Sequence, residues 1–249
     1  MIIRLLAILV LSTTVSSNIV AQELAGDYLY KVSTVRAATG ELSGLLDWIK
    51  AIKNSDYHEK AGLPFPLVMR HSQGDQWDLM IITPMQSFSA YYSKSNSLKR
   101  AKADAGISEL LARHDSMIAF DEDHFAYGPA FSMVSAAYDK NSFYHIEMFD
   151  AAPGKAKELF KQRQMENAYL KATGQTQNLI FRRAAGSNVD VFTIGFHQSL
   201  EAFAAPSGVS DEDKEKAAKA AGFKDRADLS FHLRSLISAH HDTLAVKVD

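Results

Sequence analysis

Apolar and polar residues alternate with a period of two in several short stretches, and this pattern predicts β-strands. Two such strands open similar stretches of chain, YLYKVSTV at 28–35 and FYHIEMF at 143–149. Two longer stretches, LVMRHSQGDQWDLMIITP and LIFRRAAGSNVDVFTIGF, predict β-hairpins whose turns are supplied by Gly74 and Gly186. A last strand is predicted in each half after a His-Asp pair.

Between the strands, apolar residues recur at helical spacing, within 41–54 and again from Ala156 to Tyr169. Gly62 and Gly174 follow as residues that end a helix in a positive-φ conformation. After the second hairpin, Ser210 and three acidic residues predict a capped, charged surface helix.

The same order of elements therefore occurs twice. Residues 57–91 align without a gap to 169–203, and ten of the 35 aligned pairs are identical. Downstream, His114-Asp115-Ser116 resembles His241-Asp242-Thr243, and we interpret the two His-Asp pairs as the same point in two copies. The order β-α-β-β-α-β predicts an α+β fold of two tandem ferredoxin-like repeats, whose antiparallel sheets pack into one barrel-like body.

The expected divisions are a signal peptide at 1–21, repeat 1 at 22–120, a packed connector at 121–141 and repeat 2 at 142–249. The signal peptide is indicated by Arg4, a short apolar run and small residues before Gln22. We therefore expect export to the periplasm or the extracellular space, and no membrane span after cleavage. Because both barrel halves lie in one chain, we expect a monomer.

This element order resembles the dimeric α/β-barrel superfamily, with both halves in one chain. The segment YHIEMFDAAPGKAKELFKQ is similar to the first strand, turn and helix of NIPSNAP-like domains. The resemblance implies relatives that include small monooxygenases and haem proteins such as chlorite dismutase. It transfers no active-site residue to this chain.

Composition excludes several classes of function. The chain has no cysteine, so it forms no disulfide and no thiolate metal site. Its net charge is −2 and no basic block is present, which argues against nucleic-acid binding. Phosphate-loop and nucleophile-elbow motifs are absent from the sequence.

The opening strand of repeat 2 carries our candidate catalytic residues. If Tyr144, Ile146 and Met148 face the helices, then His145 and Glu147 face the barrel interior. There they would act as proton-transfer groups. The same interior would contain three candidate ligand-binding residues, namely Phe143, Phe149 and His197. The alternative is a structural pair between Lys31 and Glu147, or simple exposure.

Arginines at the ends of the hairpin strands are candidate ligand-binding residues. Arg70, Arg182 and Arg183 could hold a carboxylate or a phosphate. The alternative is that the corresponding arginines pair with Asp78 and Asp190 across each hairpin.

Histidines raise the question of metal or haem. His and Asp that are neighbours on a strand point to opposite faces, so neither His-Asp pair is expected to form a dyad. His232 and His240, on an expected C-terminal helix, could bind haem iron, although no haem motif accompanies them. No metal site is predicted, because the helical histidine spacing typical of zinc is missing.

Together these observations predict an exported protein that binds a small, partly apolar ligand in the barrel of repeat 2. The alternatives are a cofactor-independent monooxygenase that uses His145 and Glu147, a haem-dependent enzyme, or a non-catalytic interaction module.

Overall fold

The computed structural model describes residues 24–248, so the predicted signal peptide lies outside the described residues. The strands are β1 (Tyr28–Ala37), β2 (Leu67–Gln73), β3 (Leu79–Gln86), β4 (Ile118–Gly128), β5 (Phe143–Ala151), β6 (Leu179–Ala185), β7 (Val191–His197) and β8 (Ile237–Lys247). The helices are α1 (Leu42–Asn54), α2 (Tyr57–Ala61), α3 (Phe88–Tyr91), α4 (Lys94–Gly106), α5 (Ser108–Leu111), α6 (Phe131–Lys140), α7 (Ala156–Ala172), α8 (Leu200–Ala204), α9 (Asp211–Ala220) and α10 (Asp228–Leu236).

The eight strands form one closed antiparallel barrel in the order β1-β3-β2-β8-β5-β7-β6-β4. The strands of the first half lie side by side as β4-β1-β3-β2, and those of the second half as β8-β5-β7-β6. Pairing of β2 with β8 and of β4 with β6 closes the barrel. The α+β barrel expected from the sequence is thus present, while the origin of the halves by duplication stays a prediction.

The barrel interior is a packed apolar core. Tyr144 and Ile146 are fully buried there, together with Phe181, Phe192 and Tyr30 from other strands. The expected orientation of β5 is therefore wrong, because Tyr144, Ile146 and Met148 point into the barrel and not towards the helices.

The opposite face of β5 lies under the helices. Phe149 is fully buried against Leu159 of α7 and Leu233 of α10. His145 and Glu147 share this outer face, since side chains two residues apart on a strand point the same way. The alternation could not reveal the orientation, because apolar residues occupy both faces of a strand that is covered on both sides.

Two boundaries differ from the expected ones. The first eight residues of the segment 121–141, expected to be a connector, continue strand β4, and most of the rest forms α6. His240 and His241 lie in strand β8 and not on a C-terminal helix, which ends at Leu236.

The two His-Asp pairs do not occupy the same place. Asp115 lies in a short helical turn before β4, whereas Asp242 lies in the middle of β8. In the register of the sheet, Asp242 stands opposite Glu147 and Asp123 stands opposite Ser33. The counterpart of Asp242 in the first half is therefore Asp123 and not Asp115.

The expected helix ends are confirmed. Gly62 has φ of 69° and Gly174 has φ of 68°, and Ser210 accepts a hydrogen bond from the backbone N–H of Asp213 at the start of α9. Between residues 24 and 248, none of the helices combines the length and the apolar character needed to cross a membrane.

Candidate functional site

A polar cluster lies on the outer face of the second half, where β5 and β8 run side by side. Asp242 Oδ1 accepts a hydrogen bond from His145 Nε2 at 2.5 Å. Glu147 stands directly opposite Asp242 in the strand register, so the three side chains share one patch of the sheet. The structure thus brings the two predicted catalytic residues together, but beneath the helices and not inside the barrel.

Helix α7 adds a buried cation to this cluster. The Arg163 side chain is 1% exposed, and its Nη1 donates to Glu147 Oε2 at 3.3 Å while Nη2 donates to Glu166. Thr193 on β7 also donates to Glu147 Oε2, at 3.0 Å. Oε2 of Glu147 is therefore fixed by two donors, and Oε1 is left to face the strand β8.

His240 completes the cluster on that side. Its Nε2 lies 4.0 Å from Glu147 Oε1 and 4.0 Å from Asp242 Oδ2. The imidazole stacks on the buried ring of Phe149, with centroids 4.9 Å apart and planes 4° from parallel. Stacking on a fully buried ring restricts the orientation of this histidine.

The surroundings shift the pKa of several of these groups. Burial lowers the pKa of His145, but the hydrogen bond to Asp242 and the neighbouring charges of Glu147 and Asp242 outweigh burial, so the pKa is raised. The hydrogen bond with His145 lowers the pKa of Asp242. Burial raises the pKa of Glu166, although Arg163 opposes the shift. The cluster therefore favours an ion pair between His145 and Asp242.

The spacing of the cluster also suits a metal ion. One ligand atom from each of His145, Glu147 and Asp242 lies within 4.8 Å of the others. Among residues 24–248, it is the one group of three His, Cys, Asp or Glu side chains whose ligand atoms lie this close together.

Aromatic rings border the cluster towards the end of β7. The ring of Phe203 lies 5.0 Å from His145, 5.2 Å from His197 and 5.7 Å from Phe143, measured between centroids. Gly195 stands beside His145 in the register, and a Cβ at Gly195 would lie 2.9 Å from His197 Nε2. Burial, and next the charge of His145, lower the pKa of His197. Three predicted site residues, Phe143, His145 and His197, thus meet at Phe203, which the sequence did not single out.

The corresponding patch of the first half is different. There Lys31 Nζ pairs with Asp123 Oδ2 at 3.1 Å, and Ser33 Oγ donates to Asp123. The alternative pairing of Lys31 with Glu147 is wrong, because each of these residues finds its partner within its own half.

A second feature of the second half is an open groove of about 910 Å³ between α7 and strands β6 and β7. Its apolar surface includes Phe160, Met165 and Val191. Four cationic side chains also line it: Lys157, Lys161, Arg182 and Arg183.

Of the two expected cross-hairpin pairs, the one with Asp190 forms, but with Arg183 in place of Arg182. Arg183 pairs with Asp190 at 2.6 Å, whereas Arg182 pairs with Asp27 and lies over the ring of Tyr127. Arg70 is exposed and forms no ion pair with Asp78 in the described part of the chain. Asp78 and Asp190 recur for a backbone reason, since they accept hydrogen bonds from Ala37 N at 2.8 Å and Ala151 N at 2.9 Å.

A smaller pocket of about 160 Å³ lies at one end of the barrel and is lined by residues of both halves. His124 and Trp77 line it and are almost fully buried, and His124 Nε2 and Trp77 Nε1 have no hydrogen-bond partner among the described residues. Burial lowers the pKa of His124 to about 4, so this imidazole is neutral near pH 7.

Neither of the two histidines expected to bind haem iron lies in a site that fits a porphyrin. His232 lies on α10 with its ring 6.4 Å from Phe223, and neither the groove nor the barrel-end pocket includes it. His240 Nε2 faces two carboxylates at 4.0 Å, and not the apolar surface that a porphyrin requires.

Two residues that reach the cluster from α7, Arg163 and Glu166, were not predicted from the sequence. Helical spacing of three residues puts them on one face of that helix, but only the packing of α7 on β5 brings this face to Glu147. An alternative alignment could have indicated that Asp242 belongs to the site. In it, DHFAY at 123–127 matches DTLAV at 242–246, with the aspartate and the buried alanine identical.

No protein-family model matches this chain, and a comparison with curated proteins finds no match. Among solved structures, an anthrone oxidase-like protein superposes with a TM-score of 0.56 at 12% identity, covering 92% of this chain and 94% of that chain. A monooxygenase-like protein from Lactobacillus acidophilus gives a TM-score of 0.47 at 7% identity, covering 90% and 95%. A heme-binding protein from Thermus thermophilus gives 0.43 at 11% identity, covering 90% and 93%. The first likeness shows the fold, which is that of the dimeric α/β-barrel proteins.

Proposed function

We propose that this is an exported protein that binds a small, partly apolar anion in the groove between α7 and strands β6 and β7. The observation that carries the proposal is the combination of size, apolar surface and charge in one concave site. A volume of about 910 Å³ falls within the range of small-molecule sites.

The charges of the groove favour an anionic ligand. Arg182 and Arg183 are each paired with a carboxylate, and these pairs hold their guanidinium groups in place. Lys157 and Lys161 lie one helical turn apart on α7 and form no ion pair within the described residues. Two cations are therefore available to a ligand carboxylate or sulfonate, while Phe160 and Met165 contact its apolar part.

Fluorescence titration with 1-anilinonaphthalene-8-sulfonate tests the proposal, since this probe combines an apolar body with one negative charge. We expect saturable binding, and an affinity at least about 10-fold weaker when both Lys157→Glu and Lys161→Glu are introduced. Lys216→Glu on α9 adds the same kind of charge away from the groove and should leave the affinity unchanged. Equal affinities for the wild type and the double variant would refute the groove as the binding site.

A second candidate function is an enzyme of the monooxygenase or oxidase type that acts on an aromatic compound beside His145. The specific observation is the position of Phe203, whose ring contacts both His145 and His197. The anthrone oxidase-like neighbour suggests anthrone as a probe, although that likeness shows the fold alone. Oxidation of the anthrone methylene to a carbonyl would consume one dioxygen and release one water.

Oxygen uptake with anthrone tests this second candidate. We expect one dioxygen consumed per anthrone, and a lower kcat/KM in Phe203→Ala than in Phe231→Ala, which removes an exposed ring on α10. Absence of uptake above the uncatalysed rate would remove this candidate and leave ligand binding in the groove intact.

A further inference from the structure

We infer that His145, Glu147 and Asp242 form a binding site for one divalent first-row transition ion, with His240 as a fourth donor. The inference goes beyond ligand binding in the groove, because these residues lie at the face of α7 that packs on β5.

The donor types and their spacing fit such an ion. Ligand atoms 2.0–2.2 Å from a zinc-sized ion lie about 3–4 Å apart, and the donor atoms of His145, Glu147 and Asp242 already lie within 4.8 Å of one another. His240 Nε2 is 4.0 Å from an oxygen of each carboxylate. Two imidazoles with two carboxylates suit a transition ion, whereas Mg²⁺ and Ca²⁺ prefer oxygen ligands.

The ligands are held by a second layer of contacts. Glu147 Oε2 accepts from Arg163 and Thr193, which leaves Oε1 available 4.0 Å from His240 Nε2. The His240 ring is fixed by its stacking on Phe149. Metal sites in proteins show this arrangement, in which neighbouring groups orient the carboxylate and imidazole ligands.

The cluster also has more negative than positive charge, which favours the binding of a divalent cation. The guanidinium of Arg163 is shared by Glu147 and Glu166, so it balances one of the three carboxylates of the cluster. With His145 neutral, as a metal-bound imidazole is, two further carboxylate charges remain, and a single divalent ion that displaces the proton shared by His145 and Asp242 balances both.

The corresponding patch of the first half has a cation of its own. At the corresponding positions, Lys31 supplies a fixed cation to Asp123, and the third position is the neutral Ser33. In the second half, histidine replaces the lysine and a carboxylate replaces the serine, while the aspartate is kept. At these positions the second half therefore has a metal-ligating imidazole where the first half has a lysine, and a second anionic ligand where the first half has a serine.

The sequence alone predicted no metal site because the ligands come from two strands that are distant in the chain. His145 and Glu147 lie on β5, and His240 and Asp242 lie on β8. As metal ligands, His145 and Glu147 would not serve as the proton-transfer groups expected from the sequence.

Isothermal titration of the untagged, EDTA-treated protein with ZnCl₂ tests the inference. We expect one site per chain, and a dissociation constant at least about 100-fold weaker in His145→Lys, which recreates the lysine of the first half. Asp123→Asn, at the counterpart of Asp242, should leave zinc binding unchanged. Titration with CoCl₂ should produce visible ligand-field bands in the wild type and none in His145→Lys.

Asp242→Asn serves as a second variant if His145→Lys does not fold, as judged by circular dichroism and thermal unfolding. Absence of a stoichiometric zinc site in the wild type would overturn the inference, as would equal binding by a folded His145→Lys or Asp242→Asn. Because dye binding in the groove is measured separately, failure of the metal site leaves the proposed ligand groove standing, and the reverse also holds.

Discussion

Asp123 and Asp242 occupy corresponding places in the two halves of the barrel. Each stands opposite a residue of the opening strand, Ser33 or Glu147, and pairs with the residue two positions before it, Lys31 or His145. The hairpin turns repeat the correspondence, because Gly74 packs against Asp242 and Gly186 packs against Asp123. One position in the fold thus holds a lysine–aspartate pair in the first half and a histidine–aspartate pair within a polar cluster in the second.

The buried guanidinium of Arg163 predicts a large loss of stability on truncation. Arg163→Ala leaves Glu147 and Glu166 without their cation in a largely buried setting, and we expect a cost of about 3–5 kcal/mol in the free energy of unfolding. Urea unfolding measures this cost. Lys216→Ala, which breaks an exposed pair on α9, should cost at most about 1 kcal/mol. Similar costs for the two variants would contradict the buried network.

The buried imidazole of His124 should make the stability of the folded protein sensitive to acid. Burial lowers its pKa to about 4 in the folded state, below the value of about 6.5 expected after unfolding. The unfolded chain therefore binds more protons between these values. The contribution of His124 to stability is complete above about pH 6.5 and falls by up to about 3 kcal/mol as the pH drops towards 4.

Urea unfolding at pH 7 and at pH 5 measures this loss in the wild type and in His124→Thr, which carries the residue of the corresponding position, Thr243. The acidic groups around His124, namely Asp75, Glu122, Asp123 and Asp150, and the neighbouring His241 are present in both proteins. The difference between the two proteins therefore isolates His124. An equal loss of stability in both would show that this imidazole is not the sensitive group.

The turn of the first hairpin should require glycine at position 74. Its φ is 122°, and a Cβ there would overlap the carbonyl oxygen of Asp242. Gly40 also has a positive φ, 86°, but a Cβ there has nothing within 4 Å. We expect Gly40→Ala to cost about 1–2 kcal/mol from conformation alone and Gly74→Ala to cost clearly more. Thermal unfolding compares the two, and equal melting temperatures would mean that the turn adjusts without displacing β8.

A cavity created in the packed interior of the barrel should lower the stability of the protein. Phe181 is fully buried, with its ring stacked 4.5 Å from Phe192, so Phe181→Ala should cost about 3–5 kcal/mol. The exposed ring of Phe231 provides the matched control, and Phe231→Ala should change stability by less than about 1 kcal/mol. A small cost for Phe181→Ala in urea unfolding would indicate an interior loose enough to accept a ligand.

Strong local patterns allowed much of the fold to be predicted from the sequence. The period-two strands, the glycine turns and the helix ends depend on neighbouring residues, and the structure confirms most of them, although β8 begins at Ile237 and includes the His-Asp pair that it was expected to follow. The orientation of β5 could not be predicted in this way, because Phe143 and Tyr144 are both apolar and both faces of the strand are covered.

The candidate site was predicted in part for a similar reason. His145 and Glu147 were identified as polar residues at alternate positions of an otherwise apolar strand, and His197 as a histidine expected near them. The contribution of β8 was obscured by the match between the two His-Asp pairs, which placed Asp242 at the entrance of its strand. Arg163 depends on how α7 packs, and a periodic pattern carries no information on that contact.

Closure of the barrel has a consequence for the order in which this chain can fold. Strand β8 hydrogen-bonds to β2 on one side and to β5 on the other, so the last strand of the described chain joins two elements that are far apart in sequence. Until β8 is in place, β2 and β5 each expose an unpaired edge that could recruit another chain. Productive folding therefore depends on the C-terminal strand docking faster than two incomplete chains meet, and deletion of that strand should turn a monodisperse protein into one that associates through its open edges.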